Sequence, residues 1–253
     1  MVMRRNHSDK KLIAVCVIIG LLMGTSASYY YFTDFYTIAA APQTNLTIKE
    51  PVYARAQINL VAVDQNGNGI STPLIVEAKP GKGETLANID KLLFWTDTQQ
   101  SIQTAKSVAE NVTGISASNY DITYSIESNA TVVGGPSAGV ALAIATIAAL
   151  KNEKIRSDVI ITGTINNDGT IGEIGGILEK AAAAKEAGAM LLLVPKGQSQ
   201  QTYLKPDEIC VTKGKFQLCE TTYKSVTINI GKDAGISVLE VGDVAEAYKY
   251  FKI

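Results

Sequence analysis

Hydrophobic and polar positions fall into three kinds of stretch along the chain. One is continuous: residues 12–33, "LIAVCVIIGLLMGTSASYYYFT", hold no charge and can just span a hydrocarbon core. The second alternates. Val52 to Val63 and Tyr120 to Ile126 switch between apolar and polar residues, the period of a half-buried strand. Asp158 to Ile165, Met190 to Val194 and Ser237 to Val241 add further strands, with Pro195 closing the second of these. The third has helical spacing. From Thr98 to Val112 the apolar positions are Ile102, Ala105, Val108, Ala109 and Val112, and Gly114 ends the run. Ser137 to Leu150 is almost wholly apolar, which predicts a helix buried on most sides. Helices are also expected from Ile177 to Ala187, stopped by Gly188, and from Asp243 to Phe251. Residues 64–69, "DQNGNG", and 166–169, "NNDG", read as hairpin turns. The sum is one α/β domain of the α+β kind with a mixed sheet and no internal repeat.

The first apolar run sets the domain organisation. Arg4, Arg5, Lys10 and Lys11 precede it and only Asp34 follows closely, so the positive-inside bias holds the amino terminus in the cytoplasm and exports the rest. Tyr29 to Phe32, Phe35 and Tyr36 resemble an interfacial aromatic belt. The expected divisions are a cytoplasmic tail at 1–11, a transmembrane anchor at 12–33, a linker at 34–47 and a folded domain at 48–253. A cleaved signal peptide competes with the anchor, because Thr25-Ser-Ala27 looks like a cleavage site. Either way the domain is membrane-attached outside the cytoplasm, or secreted. Sequons at Asn45, Asn111 and Asn129 are glycosylation candidates on that side. Cys210 and Cys219 bracket "VTKGKFQL", and an oxidising exterior would let them pair and staple a hairpin around Gly214.

Charge and motif tests then remove function classes. The net charge of −1 gives no electrostatic case for nucleic acid. No Gly-x-x-x-x-Gly-Lys-[Ser/Thr] occurs, which argues against a built-in P-loop ATPase. Asp64, Asn66, Asn68 and Gly69 match the start of a calcium loop, but Ile75 stands where the bidentate glutamate is required, so no metal site is expected. The only histidine is His7, ahead of the apolar run, so the domain holds no Ser-His-Asp triad or Cys-His pair.

One loop nevertheless looks like a nucleophile's. In "VGGPSAGV", residues 133–140, Pro136 suits a first helical turn, and Ser137 follows at the positive end of a long apolar helix whose first amides can bind a developing oxyanion. A serine so placed is commonly just a cap. As a nucleophile it needs a base, and a lysine kept neutral by desolvation can serve. Both candidates lie in "GGILEKAAAAKEAGA". Ile177, Ala181, Ala184 and Gly188 share one helical face, with Lys180 on one flank and Lys185 on the other. Periodicity does not choose between them.

A family resemblance does. The segment from about Tyr120 to Lys196 resembles the proteolytic domain of Lon-type serine proteases, in the order Pro136-Ser-Ala-Gly139, Thr162-Gly163, Ile174-Gly-Gly176 and Lys180, followed by "AGAMLLLVP" at 187–195. The resemblance implies a Ser137–Lys180 dyad without cofactor. Thr162 would hydrogen-bond the lysine amine, and Gly135 and Ala138 would be supporting positions near an oxyanion site whose donors stay open. It further implies a serine endopeptidase acting on polypeptides, with a homo-oligomeric ring as a possible assembly. The membrane segment in place of an ATPase resembles archaeal ATPase-less Lon-like proteins, and points to unfolded proteins or peptides as substrates. Two positions depart from many bacterial relatives: Gly134, where they carry Asp, and Thr164, where they carry Glu. These leave open a non-catalytic exported binding or scaffold domain. An anion site at the same helix start is poor, since no Lys or Arg lies from Thr131 to Val140.

Overall fold

Strand β1 (Ala54–Val63) turns back into β2 (Gly69–Pro80) through the asparagine-glycine stretch that the pattern marks as a hairpin. The computed structural model describes Leu21 and residues 52–88, 93–94, 96–127, 132–133 and 135–253. The expected tail and linker, the expected anchor apart from Leu21, and Asn45, Asn129 and Gly134 lie outside these residues. No helix among the described residues is long and apolar enough to cross a membrane.

In the β1–β2 turn, one carboxylate oxygen of Asp64 accepts from the amides of Asn66 and Asn68 at 2.9 and 2.7 Å. These donors, the Asn68 amide foremost, hold the Asp64 carboxyl below its usual range. β2 pairs antiparallel with β5 (Tyr120–Ile126), and β3 (Thr85–Asn88) pairs parallel with β5, giving the order β1-β2-β5-β3.

Two helices cover the inner face of this sheet. Helix α1 (Thr96–Thr113) contributes Ile102, Ala105, Val108 and Ala109 to the core. Val112, expected on the same face, is 40% exposed, because the last turn runs past the packed region. Asn111 is exposed in that turn. Helix α2 (Gly139–Lys151) is buried from Gly139 to Leu150. The Tyr124 hydroxyl and the Thr146 hydroxyl meet at 2.9 Å, so these two buried groups satisfy each other. Short strands β4 (Leu93–Phe94) and β6 (Val132–Val133) pair in parallel just ahead of α1 and of the Pro136–Ser137 turn. The two segments thus leave a common ladder together.

A second layer is parallel. β7 (Val159–Ile161), β10 (Leu191–Pro195) and β13 (Ser237–Val241) form a sheet in the order β13-β10-β7. Helix α3 (Ile177–Glu186) packs Ile177, Ala181 and Ala184 with Ile160, Leu192, Val194 and Val61. The single strand expected from Asp158 to Ile165 is two. β7 pairs with β10, the chain breaks at Thr162-Gly163, and β8 (Thr164–Ile165) turns into β9 (Ile171–Gly172).

The domain ends in three features. β11 (Gln200–Lys213) and β12 (Phe216–Asn229) form a long, almost wholly exposed hairpin, joined across one register pair by a Cys210–Cys219 disulfide. Helix α4 (Ile230–Ala234) returns the chain to the second layer. The last helix is shorter than expected: α5 (Val244–Tyr248), capped by Asp243 accepting from the Glu246 amide at 2.7 Å, passes into a 3-10 turn at Lys249–Phe251. Pro51–Ile253 forms a compact unit, and both hydrophobic cores lie wholly within it.

Candidate active site

Ser137 occupies a 3-10 turn, Pro136–Ala138, that precedes α2 rather than the first turn of one continuous helix. Pro136 supplies the fixed φ of a first helical position. Gly135 ahead of it has φ 97°, a conformation that a residue with a Cβ rarely adopts. The cap positions of the 3-10 turn and of α2 are Gly135 and Ala138, neither of which has a side chain that can cap. Ser137 therefore stands at neither of the positions where this residue type most often plays a structural role. Ser137 and Ala138 are half-buried. Their amides lie in the first turn of a helical segment, where N–H groups have no intrahelical acceptor.

The break between β7 and β8 holds this turn. The Gly163 amide donates to the Ser137 carbonyl oxygen at 2.9 Å, and the Thr162 hydroxyl donates to the same oxygen at 3.3 Å. The Val140 amide in turn donates to the Gly163 carbonyl at 3.3 Å. Thr162, 1% exposed, is thus brought to Ser137, through the serine backbone. The expected Thr162 bond to the lysine amine is not among its contacts with described residues. α1 also packs against the 136–138 turn, and the Thr98 hydroxyl in its first turn is buried with no hydrogen-bond partner among the described residues. Sequence reasoning treated that helix only as core; a lone threonine beside Asp97 carries no signal that separates it from an ordinary helix start.

The two lysines of α3 part company. Lys185 is exposed, with its amine lying over Gly235. Lys180 is 5% exposed, and its amine has no ion pair or hydrogen bond with a described residue. Burial pushes its pKa from 10.5 down to about 8, with the neighbouring Glu179 carboxylate opposing the shift. At that value about one amine in ten is neutral at pH 7 and about half at pH 8. The Lys180 amine and the Ser137 hydroxyl do not hydrogen-bond each other, but the 136–138 turn and α3 both pack against β1. Gln198 fixes the entry to α3, a role that no motif announced. Its side-chain amide accepts from the Ile174 amide at 3.0 Å and donates to the Ile174 carbonyl at 2.8 Å.

Close backbone contact seats α3. A Cβ built at Gly69 would lie 2.0 Å from the Glu179 carbonyl oxygen. Gly69→Ala must therefore push the helix away from β2 at the residue before Lys180. The expected result is a loss of about 1–3 kcal/mol in denaturant-measured stability, with a fall in any activity that depends on the lysine.

Comparison with known proteins places this arrangement. Residues 80–226 match the family model described as the Lon protease (S16) C-terminal proteolytic domain. The chain is 30% identical over 155 residues to the archaeal Lon protease of Thermococcus kodakarensis, covering 60% of this chain and 24% of that one. It is 30% identical over 140 residues to the archaeal Lon protease of Methanothermobacter thermautotrophicus, covering 55% and 22%. Against Lon protease 1 of Myxococcus xanthus the figures are 36% over 126 residues, 48% and 15%. The fold and the sequence match define one class, and the chain belongs to the Lon protease (S16) C-terminal proteolytic domain family, a family of serine peptidases. It spans a quarter or less of the length of these relatives.

Proposed function

We propose that the domain is an ATP-independent serine endopeptidase with Ser137 as nucleophile and Lys180 as general base. The observation that carries the reading is the Lys180 amine: buried, without an ionic partner among the described residues, and poised to lose its proton near neutral pH. Neutral Lys180 takes the Ser137 proton as the serine oxygen attacks the scissile carbonyl. First-turn amides at Ser137 and Ala138 stabilise the oxyanion, the protonated lysine returns its proton to the leaving amine, and water releases the acyl group. Thr162 and Gly163 act by holding the Ser137 carbonyl, and so the turn, in place.

The absence of a P-loop motif in the sequence supports cleavage without ATP, and hence substrates that are already unfolded. The uncharged run at 12–33 and the basic residues before it support a membrane-tethered domain outside the cytoplasm. The open edge strand β3 suits an extended peptide added as a strand, and the family resemblance favours a homo-oligomer. The test is hydrolysis of an unstructured polypeptide beside its folded counterpart. Cleavage of the unfolded chain alone, unchanged by ATP, is expected. Equal cleavage of both, or none that Ser137 controls, contradicts the proposal.

A further inference from the structure

The β11–β12 hairpin buries almost nothing along its own length, yet it is far from polar. Each arm has 14 residues, a reach of roughly 45 Å at the usual strand rise. The alternation divides its distal third into two unlike faces. Val211 lies opposite Leu218, Ile209 lies one pair behind, and Phe216 begins the return strand on the same side. Phe216 is 80% exposed and Leu218 74%, with Ile209 and Val211 more than half exposed. The opposite face carries the disulfide, which ties the two strands together behind the apolar cluster. In the sequence, Lys213 and Lys215 flank the turn glycine and no acidic residue occurs from Ile209 to Cys219; Glu220, opposite Ile209, bounds the apolar face on the side away from the turn. Four contiguous apolar side chains at an exposed tip are unusual on a soluble surface without a partner.

We propose that this tip docks on an anionic lipid bilayer surface, with Phe216, Leu218, Val211 and Ile209 entering the interface and the turn lysines meeting lipid phosphates. The inference rests on the membrane-tethered reading above, because the tether supplies the proximity. The chain from Thr33 to Ala54 can reach at most roughly 70 Å, so the start of β1 in a domain held by residues 12–33 stays within about one and a half hairpin lengths of the bilayer. Tethering at that range raises the local concentration of surface for the tip, so that a weak patch suffices. Basic residues beside exposed aromatic and aliphatic side chains are the chemistry that such an interface selects. Docking would also fix the orientation of the domain, and with it of the Ser137 turn, relative to the bilayer.

Residues 48–253, which contain both cores, allow the tip to be tested apart from the tether. That fragment is expected to co-sediment with phosphatidylglycerol vesicles, more weakly with phosphatidylcholine, and to come off as salt rises. F216S/L218S is expected to lower binding tenfold or more, and K213E/K215E by about fivefold per lysine. Unchanged circular dichroism melts would show that both variants fold. Absence of binding to the anionic vesicles, or equal binding by F216S/L218S, overturns the proposal. Lipid-free self-association that F216S/L218S abolishes also overturns it, and assigns the face to a second copy instead. Flotation of the full chain after carbonate washing reports on the tether separately. A full chain that washes off while the fragment still binds sinks the tether and not the tip.

Discussion

Ser137→Ala is expected to lower kcat by about three orders of magnitude or more while leaving the folded state as stable as before. The pairing of these two outcomes separates the two roles open to this serine. It occupies neither cap position, since Gly135 and Ala138 stand there, and the contacts that hold the turn run through its backbone carbonyl, which alanine keeps. A cap would give the opposite pattern, with about 1 kcal/mol of stability lost on removal. The change in denaturation midpoint should thus stay within about 0.5 kcal/mol. A large loss of stability with residual peptidase activity would return Ser137 to the structural role.

Lys180→Met carries the second large effect, in two directions. Activity should fall about as far as in the serine variant, since the two groups act as a unit. Stability should rise. The wild-type fold buries an ammonium at pH 7, and a pKa lowered from 10.5 to about 8 marks the cost of doing so. Below pH 8 the lysine is protonated both folded and unfolded, so the full penalty is present. Between about pH 8 and 10.5 the unfolded chain holds the proton more tightly than the folded one, so wild-type stability rises with pH through that window. Methionine removes the charge, and a gain of roughly 1–3 kcal/mol at pH 7 is expected, measured by urea titration. The wild-type stability gain between pH 8 and 10.5 should vanish in the variant. An inactive variant that is also less stable would mean that Lys180 acts as packing.

What the sequence made visible follows from how local each determinant is. The apolar stripe of α1 and the alternation of β5 are set by neighbours within one element, and both stand where the pattern put them apart from the exposed Val112. The break at Thr162-Gly163 was hidden because Val159 to Ile165 holds no proline or Asn-Gly turn signal, only the single Gly163 among strand-forming Val, Ile and Thr. Only its pairing with two different partners, β10 and β9, divides it. The choice between Lys180 and Lys185 was equally hidden. The two flank one helical face symmetrically, and what separates them is tertiary: Lys180 is buried and Lys185 exposed in a helix that packs on β1 and β2, about a hundred residues or more away in the chain. Much of the long hairpin escaped notice because its exposed strands carry no buried face, and burial is what makes a strand legible. The ordered motifs around Pro136, Thr162 and Ile174 were the strongest signal. They marked the family, while the structure supplied the burial that separates the two lysines.

The most direct test is the rate at which a fluorophosphonate probe labels the protein as a function of pH, with the adduct located by mass spectrometry. The account predicts modification at Ser137, a rate rising through an apparent pKa near 8 as Lys180 loses its proton, and little or no labelling in Lys180→Met. Labelling at Ser137 with the same rate and pH dependence in the lysine variant would contradict it, as would a wild-type protein that does not react.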